Sequence, residues 1–172
     1  GTERWRDRYQ ANATGQYYID ELLGGRHELK LGFDHAHSPV ENRTSRFDDV
    51  DMTYSSATGL AQNVTLYATP FYTKTAVDVT ALYAQDSMAY KRLTLTAGVR
   101  WERLNGYLPE QGSPASRFFP ALTREFAEKP DVVNWTTAGP RISAAFDVTG
   151  SGKTALKAAA GRYYYVIASG GG

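Results

Sequence analysis

Leu93-Thr94-Leu95-Thr96-Ala97-Gly98-Val99-Arg100-Trp101-Glu102 decides how this chain folds. Leu93, Leu95, Ala97, Val99 and Trp101 take every second place, and Thr94, Thr96, Gly98, Arg100 and Glu102 fill the places between. A period of two separates an apolar medium from a polar one across an extended backbone, which is the pattern of a strand and not of a helix. The same period recurs on both sides of the stretch. Upstream, Val77, Val79, Ala81 and Tyr83 alternate with Asp78 and Thr80, and in His27 to His37 the residues Leu29, Leu31 and Phe33 oppose Glu28, Lys30, Gly32 and Asp34. From Arg4 to Gln16 the even places are all polar and the odd ones carry Trp5, Tyr9, Ala11, Ala13 and Gly15, with Asp7 as the one break. Downstream, Ile142, Ala144, Phe146 and Val148 form another apolar face, and Leu156, Ala158 and Ala160 one more. The expected fold is all-β, an antiparallel meander of about six strands.

The connections between these strands fall into two lengths. Residues 19–25, 89–92 and 150–153 are tight, whereas about 39–74 and 104–140 are long, and the second of these holds Pro109, Pro114, Pro120, Pro130 and Pro140. Short and long alternate, as in a transmembrane barrel with short periplasmic turns and long outer loops. Asn63 to Phe71 also alternates, but as a span it would put a short turn and a long loop on one side. It is read as β-like structure within an outer loop. In a soluble domain, two irregular connections of this length would argue against the strand assignment.

Composition narrows the function classes. The chain has 172 residues, 42% of them hydrophobic, enough for one domain. No cysteine is present, which excludes disulfides and thiolate metal sites and leaves three histidines as nitrogen ligands. Nineteen basic and eighteen acidic side chains nearly cancel, so there is no electrostatic footprint for nucleic acid. No apolar run approaches the ~20 residues of a spanning helix, but a barrel hides its spans by interleaving polar residues. Residues 1–20 lack the pattern of a secretory signal, and the last residues, Tyr163-Tyr164-Tyr165-Val166-Ile167 and then Ser169 to Gly172, resemble no terminus, so the sequence reads as cut at both ends.

The cost of charge in lipid orients the faces. An Arg or Lys on the lipid side near the midplane costs roughly 2 to 4 kcal/mol, so Lys30, Arg100 and Lys157 are expected to face a watery lumen. Twelve tyrosines and three tryptophans supply interface rings. Trp5, Tyr9, Trp101 and Tyr163 are expected at outer strand ends, and Tyr17 and Tyr18 at an inner end. Face parity also places Arg8, Asp34, Asp78, Arg100, Asp147 and Lys157 in the lumen, with cross-strand pairs expected between Asp78 and Arg100, Arg8 and Asp34, and Asp147 and Lys157.

Other patterns have plainer readings. Gly150-Ser151-Gly152-Lys153-Thr154 ends like a phosphate-binding loop, but Asp147 stands where its first glycine belongs and a strand follows, so it is read as a hairpin turn. His35 and His37 lie two apart beside Asp34 without a third ligand, and no metal is expected. Asn12, Asn42, Asn63 and Asn134 head glycosylation sequons that are read as coincidental. No nucleophile, base and acid can be grouped, Asp48-Asp49 reads as solvated loop, and neither catalysis nor a cofactor is expected. Tyr107, Arg117, Phe118, Phe119 and Trp135, in the 104–140 loop, combine rings with a cation and could stack on a sugar or an aromatic siderophore, or pack the loop on itself.

Tyr83-Ala84-Gln85-Asp86-Ser87, Leu93 to Glu102, Pro140-Arg141-Ile142 through Asp147, and Gly152 to Lys157 through Tyr163 resemble, in that order, barrel segments of TonB-dependent outer-membrane receptors, most nearly the Oar-like branch. His27 to Phe33 resembles an earlier strand of the same barrels, so the resemblance covers nearly the whole chain; Met88 stands where the family usually has an aromatic residue. The resemblance implies a barrel of about 22 strands with an N-terminal plug. It also implies localisation in the outer membrane of a Gram-negative-type bacterium, contact with lipid, and uptake of a scarce ligand driven by the TonB complex. Residues 1–172 would then be a partial barrel domain, an open part of a larger transmembrane β-barrel. Plug and TonB-contacting segment would belong to a missing N-terminal region. Two further readings share the strand pattern. One is a structural or adhesive barrel without energised transport, and the other a soluble carbohydrate-binding β-sandwich.

Overall fold

The computed structural model describes residues 1–164; the Tyr165–Ile167 run and the glycine tail lie outside the described residues. Eleven strands follow one another: β1 (Thr2–Arg6), β2 (Tyr9–Leu22), β3 (Gly25–Thr44), β4 (Val50–Tyr54), β5 (Ala61–Leu66), β6 (Phe71–Tyr90), β7 (Leu93–Leu108), β8 (Gln111–Ser113), β9 (Arg124–Phe126), β10 (Lys129–Asp147) and β11 (Ala155–Gly161). Seven of them make one antiparallel sheet in the order β1 and β2, β3, β6, β7, β10, β11. It is a curled half-barrel, a meander of six wall positions, because β1 and β2 share the same edge of β3.

The pairing explains that shared edge. Arg6 opposes Val40 and Tyr9 opposes His37, so the register is unchanged across Asp7-Arg8. Asp7 N–H still donates to the Pro39 carbonyl at 3.3 Å, but Pro39 has no N–H to return the bond. One proline interrupts the ladder without shifting it. At the opposite end, Leu23 and Gly24 turn with φ of 53° and 80°, the doubly left-handed conformation that matches the twist of a two-residue hairpin. Lys91-Arg92 makes the next short turn, between Tyr90 and Leu93, and residues 148–154 the third.

The strands run farther than the hydrophobic stripe foretells. β3 continues to Thr44, β6 begins at Phe71, β7 reaches Leu108 and β10 begins at Lys129, so the connections expected at 39–74 and 104–140 shrink to 45–70 and 109–128. The reason is physical: alternation of polarity records contact with an apolar medium, whereas a ladder of backbone bonds needs no such contact. Residues 61–66 pair with 50–54 in a separate hairpin in the first long connection, and β8 pairs with β9 in the second.

The sheet has no conventional core. Among the described residues no large side chain is fully buried, and Leu31, Leu82, Val99 and Ile142 are 62%, 51%, 47% and 58% exposed. Among the described residues no second sheet covers them, which removes the β-sandwich reading. A single layer with one apolar side requires an apolar surrounding.

Candidate functional site

Register assigns every wall residue to a face. On one side stand Lys30, Gly32 and Asp34 of β3, Ala81, Tyr83 and Gln85 of β6, Gly98, Arg100 and Glu102 of β7, Arg141 of β10 and Lys157 of β11. At its centre, Arg100 Nη1 donates to Asp34 Oδ2 at 2.8 Å and Nε to Glu102 Oε2 at 3.2 Å. These charges are about two-thirds or more covered, so the pairing is worth more than a fully exposed surface bridge. Tyr83 lies beside Arg100, with the guanidinium carbon 5.9 Å from the ring centre, and its hydroxyl meets Thr14 Oγ1 of β2 at 2.8 Å. The ring passes directly over Gly32, where an added Cβ would come within 2.0 Å of it. Only glycine at 32 lets Tyr83 cross β3 to reach β2.

The other side carries Ala13 and Gly15 of β2, Leu29, Leu31 and Phe33 of β3, Leu82 and Ala84 of β6, Leu95, Val99 and Trp101 of β7, and Ile142, Ala144 and Phe146 of β10. An open apolar groove of about 690 Å³ runs here between Leu31, Phe33, Leu82 and Trp101. From Leu93 to Trp101 the strand climbs about 20 Å along the barrel axis at a tilt near 40°, slightly short of the ~25 Å apolar band of outer-membrane barrels. Beyond Trp101 this same face turns polar, with His37, Asp78, Arg103 and Asn105.

Two histidine–aspartate pairs close this stripe. Near the short turns, His27 Nδ1 lies 2.7 Å from Asp86 Oδ2, and its Nε2 lies 3.1 Å from the Leu22 carbonyl oxygen. Near the long connections, His37 Nδ1 lies 2.7 Å from Asp78 Oδ1, with Tyr9 stacked 6.2 Å away. The Asp86 partnership was invisible to sequence reasoning, although one signal was present: His27 shares the phase of Leu29 and Leu31, and Asp86 that of Leu82 and Ala84.

Several expected placements change. Asp78 stands on the apolar side opposite Asn105, not with Arg100, because the ladder fixes the phase of β6 by Leu82 and Ala84 rather than by Val77 and Val79. Arg8 falls in the break between β1 and β2, and the ion-pair partner of Asp34 is Arg100 instead. Asp147 and Lys157 do share a face, but the Asp147 carboxylate accepts the backbone N–H groups of Gly152 at 2.8 Å and Gly150 at 2.9 Å, so it anchors its turn. Those bonds, the one from Gly152 foremost, hold its carboxyl below the ordinary range. Tyr18 faces the polar side with Glu28, and Tyr163 lies under the Arg141 guanidinium at 4.7 Å, so neither belongs to a lipid girdle. His35 bonds Thr80 at 3.0 Å, and His37 bonds Asp78, so the two rings have separate partners and Asp34 is on the far side of the strand.

The candidate capture residues do not form one cluster. Tyr107 opposes Ala76 on the apolar phase, and Trp135 opposes Leu104 on the polar phase. Arg117 reaches Asp48 of the other long connection at 3.5 Å and stands 5.3 Å from the Phe118 ring. Phe118 and Phe119 are each 37% exposed. In the first connection, Tyr67 donates to Asp51 at 2.8 Å, a bond that holds the phenol above its ordinary range.

Comparison with known proteins agrees with this two-faced wall. The chain matches none of the curated proteins compared with it. The family model described as "Outer membrane beta barrel domain" matches residues 6–172. A single sheet whose one side needs lipid and whose other side holds water-dependent charges is the wall of such a barrel, and the chain belongs to the outer membrane beta barrel domain family and resides in the outer membrane.

Proposed function

We propose that this chain is barrel wall of a TonB-dependent receptor, close to the Oar-like branch, that takes up a scarce ligand such as a siderophore or carbohydrate. The observation that carries the reading is the ionic lumen face: Asp34, Arg100 and Glu102 are held together at mid-wall with Tyr83 braced beside them. Paired charges at that depth suit a barrel that holds a plug from the same protein, although the lumen of a structural barrel is polar as well. The barrel segments in family order support the same reading. Ligand capture falls to the long outer connections, with Arg117, Phe118 and Phe119 offering a cation beside rings, and Tyr107 and Trp135 at the strand ends below. TonB would act through the plug region of the whole protein, and no step of bond-making chemistry is assigned to the wall.

The test is uptake by cells making the whole protein, with and without a functional TonB complex. Labelled ferric siderophores and oligosaccharides serve as probes. Accumulation of one of them only when TonB is present is the expected result. Equal accumulation in both strains, or none, returns the protein to the structural or adhesive reading.

A further inference from the structure

We propose that the polar face carries an oxyanion-binding site on the turn side of Arg100, independent of whether transport is energised. Register places Gln16, Lys30, Gln85, Gly98 and Arg141 in one transverse row across five strands. Lys30 and Arg141 are three strand spacings apart, about 14 Å between backbones at ~4.8 Å per step. Their side chains flank Gln85 and Gly98, and Gly98 contributes no side chain to fill the space. The result is a cavity of about 200 Å³ whose lining includes Lys30, Gln85, Arg100 and Arg141.

Charge makes the cavity selective. Asp34 and Glu102 engage Arg100 from the side away from it, and no carboxylate lines the cavity itself. Among the described residues, neither Lys30 nor Arg141 forms a salt bridge; Arg141 has only the face of Tyr163. Two cations without anionic partners, a third already oriented, and the Gln85 amide form a donor set for a phosphoryl or carboxylate group. The position, halfway down a water-facing wall, fits an anionic solute in the lumen. A carboxylate from another part of the protein would compete for the same donors.

Calorimetry on the whole protein in detergent at low ionic strength, with inorganic pyrophosphate as the probe, tests this. Saturable binding is expected, weakened about tenfold or more by Lys30→Gln and again by Arg141→Gln, as loss of a charge-assisted bond implies. Lys30→Arg should stay within about threefold of the parent, because charge and reach survive, whereas Arg141→Lys keeps the charge but loses the planar fork and its stack on Tyr163 and should fall between the parent and Arg141→Gln. Lys91→Gln, at a distant turn, should change nothing beyond its effect on net charge. Should Arg141→Gln disturb the Tyr163 stack and the fold, the two Lys30 variants decide alone. Absence of saturable binding, as a protein carboxylate already filling the cavity would produce, overturns the proposal. So does equal weakening by Lys91→Gln, or indifference to Lys30→Gln.

Discussion

The two histidine–aspartate pairs that bracket the apolar stripe of β3 have the same 2.7 Å contact and unlike surroundings. At the inner rim the His27 side chain is 5% exposed and Asp86 37%; at the outer rim His37 and Asp78 are 34% and 33% exposed. His27 is packed where β2 folds back through the Leu23-Gly24 turn, and its second nitrogen meets the Leu22 carbonyl, so it ties the end of one strand to two others. His37 instead shares its rim with the Tyr9 ring and lies where strands continue into water. The inner rim is thus a structural seam and the outer rim an interface that gives way to solvated sheet. The membrane boundary is written in which ring is enclosed.

Leu31→Arg, midway between the two pairs, should break the comparison most severely. It places a cation in the apolar band and is expected to cost about 2 to 4 kcal/mol, whereas Asn105→Arg, on the same face in the row of the outer pair, should cost about 0 to 1. Urea titration of folding into lipid vesicles measures both, and equal costs would show that the band does not end near Trp101. Gly32→Ala, on the reverse face of the same stretch, forces Tyr83 off β3 and away from Thr14, for an expected loss of about 1 to 3 kcal/mol in the same titration. Pairing it with Tyr83→Phe separates the collision from the lost hydroxyl bond, since the second variant should lose only about 1 kcal/mol.

The pairs themselves come next. His27→Ala removes an enclosed ring with two partners and should cost about 2 kcal/mol. His37→Ala should cost about 0.5 to 1 kcal/mol, because its own ring is already partly hydrated. A reversed order would mean that the outer rim, not the inner, is the seam. The smallest effect lies at the turn foot. The carboxyl of Asp147 is depressed in the folded chain, so the unfolded chain binds its proton first as pH falls. The stabilisation is therefore complete above the unfolded value and lost as pH drops through the folded one. Unfolding midpoints of the parent and Asp147→Asn should converge on acidification from about pH 6 toward pH 3.

The same contrast explains what the sequence discloses. β7, β3 and β10 have one face of Leu, Val, Phe and Ile and one of Thr, Lys and Arg, so their phases are legible without coordinates. β6 is not legible in this way. Ala81, Leu82, Tyr83 and Ala84 are all compatible with either side, and Val77 and Val79, which look decisive, stand above the apolar band, where side-chain polarity no longer reports lipid. Its true phase is imposed by the neighbouring ladders, a long-range fact that no single strand contains. Alternation alone therefore puts Asp78 on the wrong face and hides the pairing of His37 with it. Arg100 is legible as a residue of the polar face of β7. Its partners are not, because Asp34 reaches it from two strands away, across β6, where Ala81 is small enough to leave the path open. The capture residues of the long connections have no periodicity at all, and only coordinates reveal that Arg117 reaches across to Asp48.

The missing amide proton of Pro39 has an effect beyond one lost bond. It divides the outermost strand into two hydrogen-bonded panels, residues 2–6 and 9–22, aligned in one register yet joined to β3 separately. Opening of the 2–6 panel therefore meets a natural stopping place at Asp7, and this upper panel can exchange its amides with water on its own schedule while the bilayer-spanning panel keeps its protons.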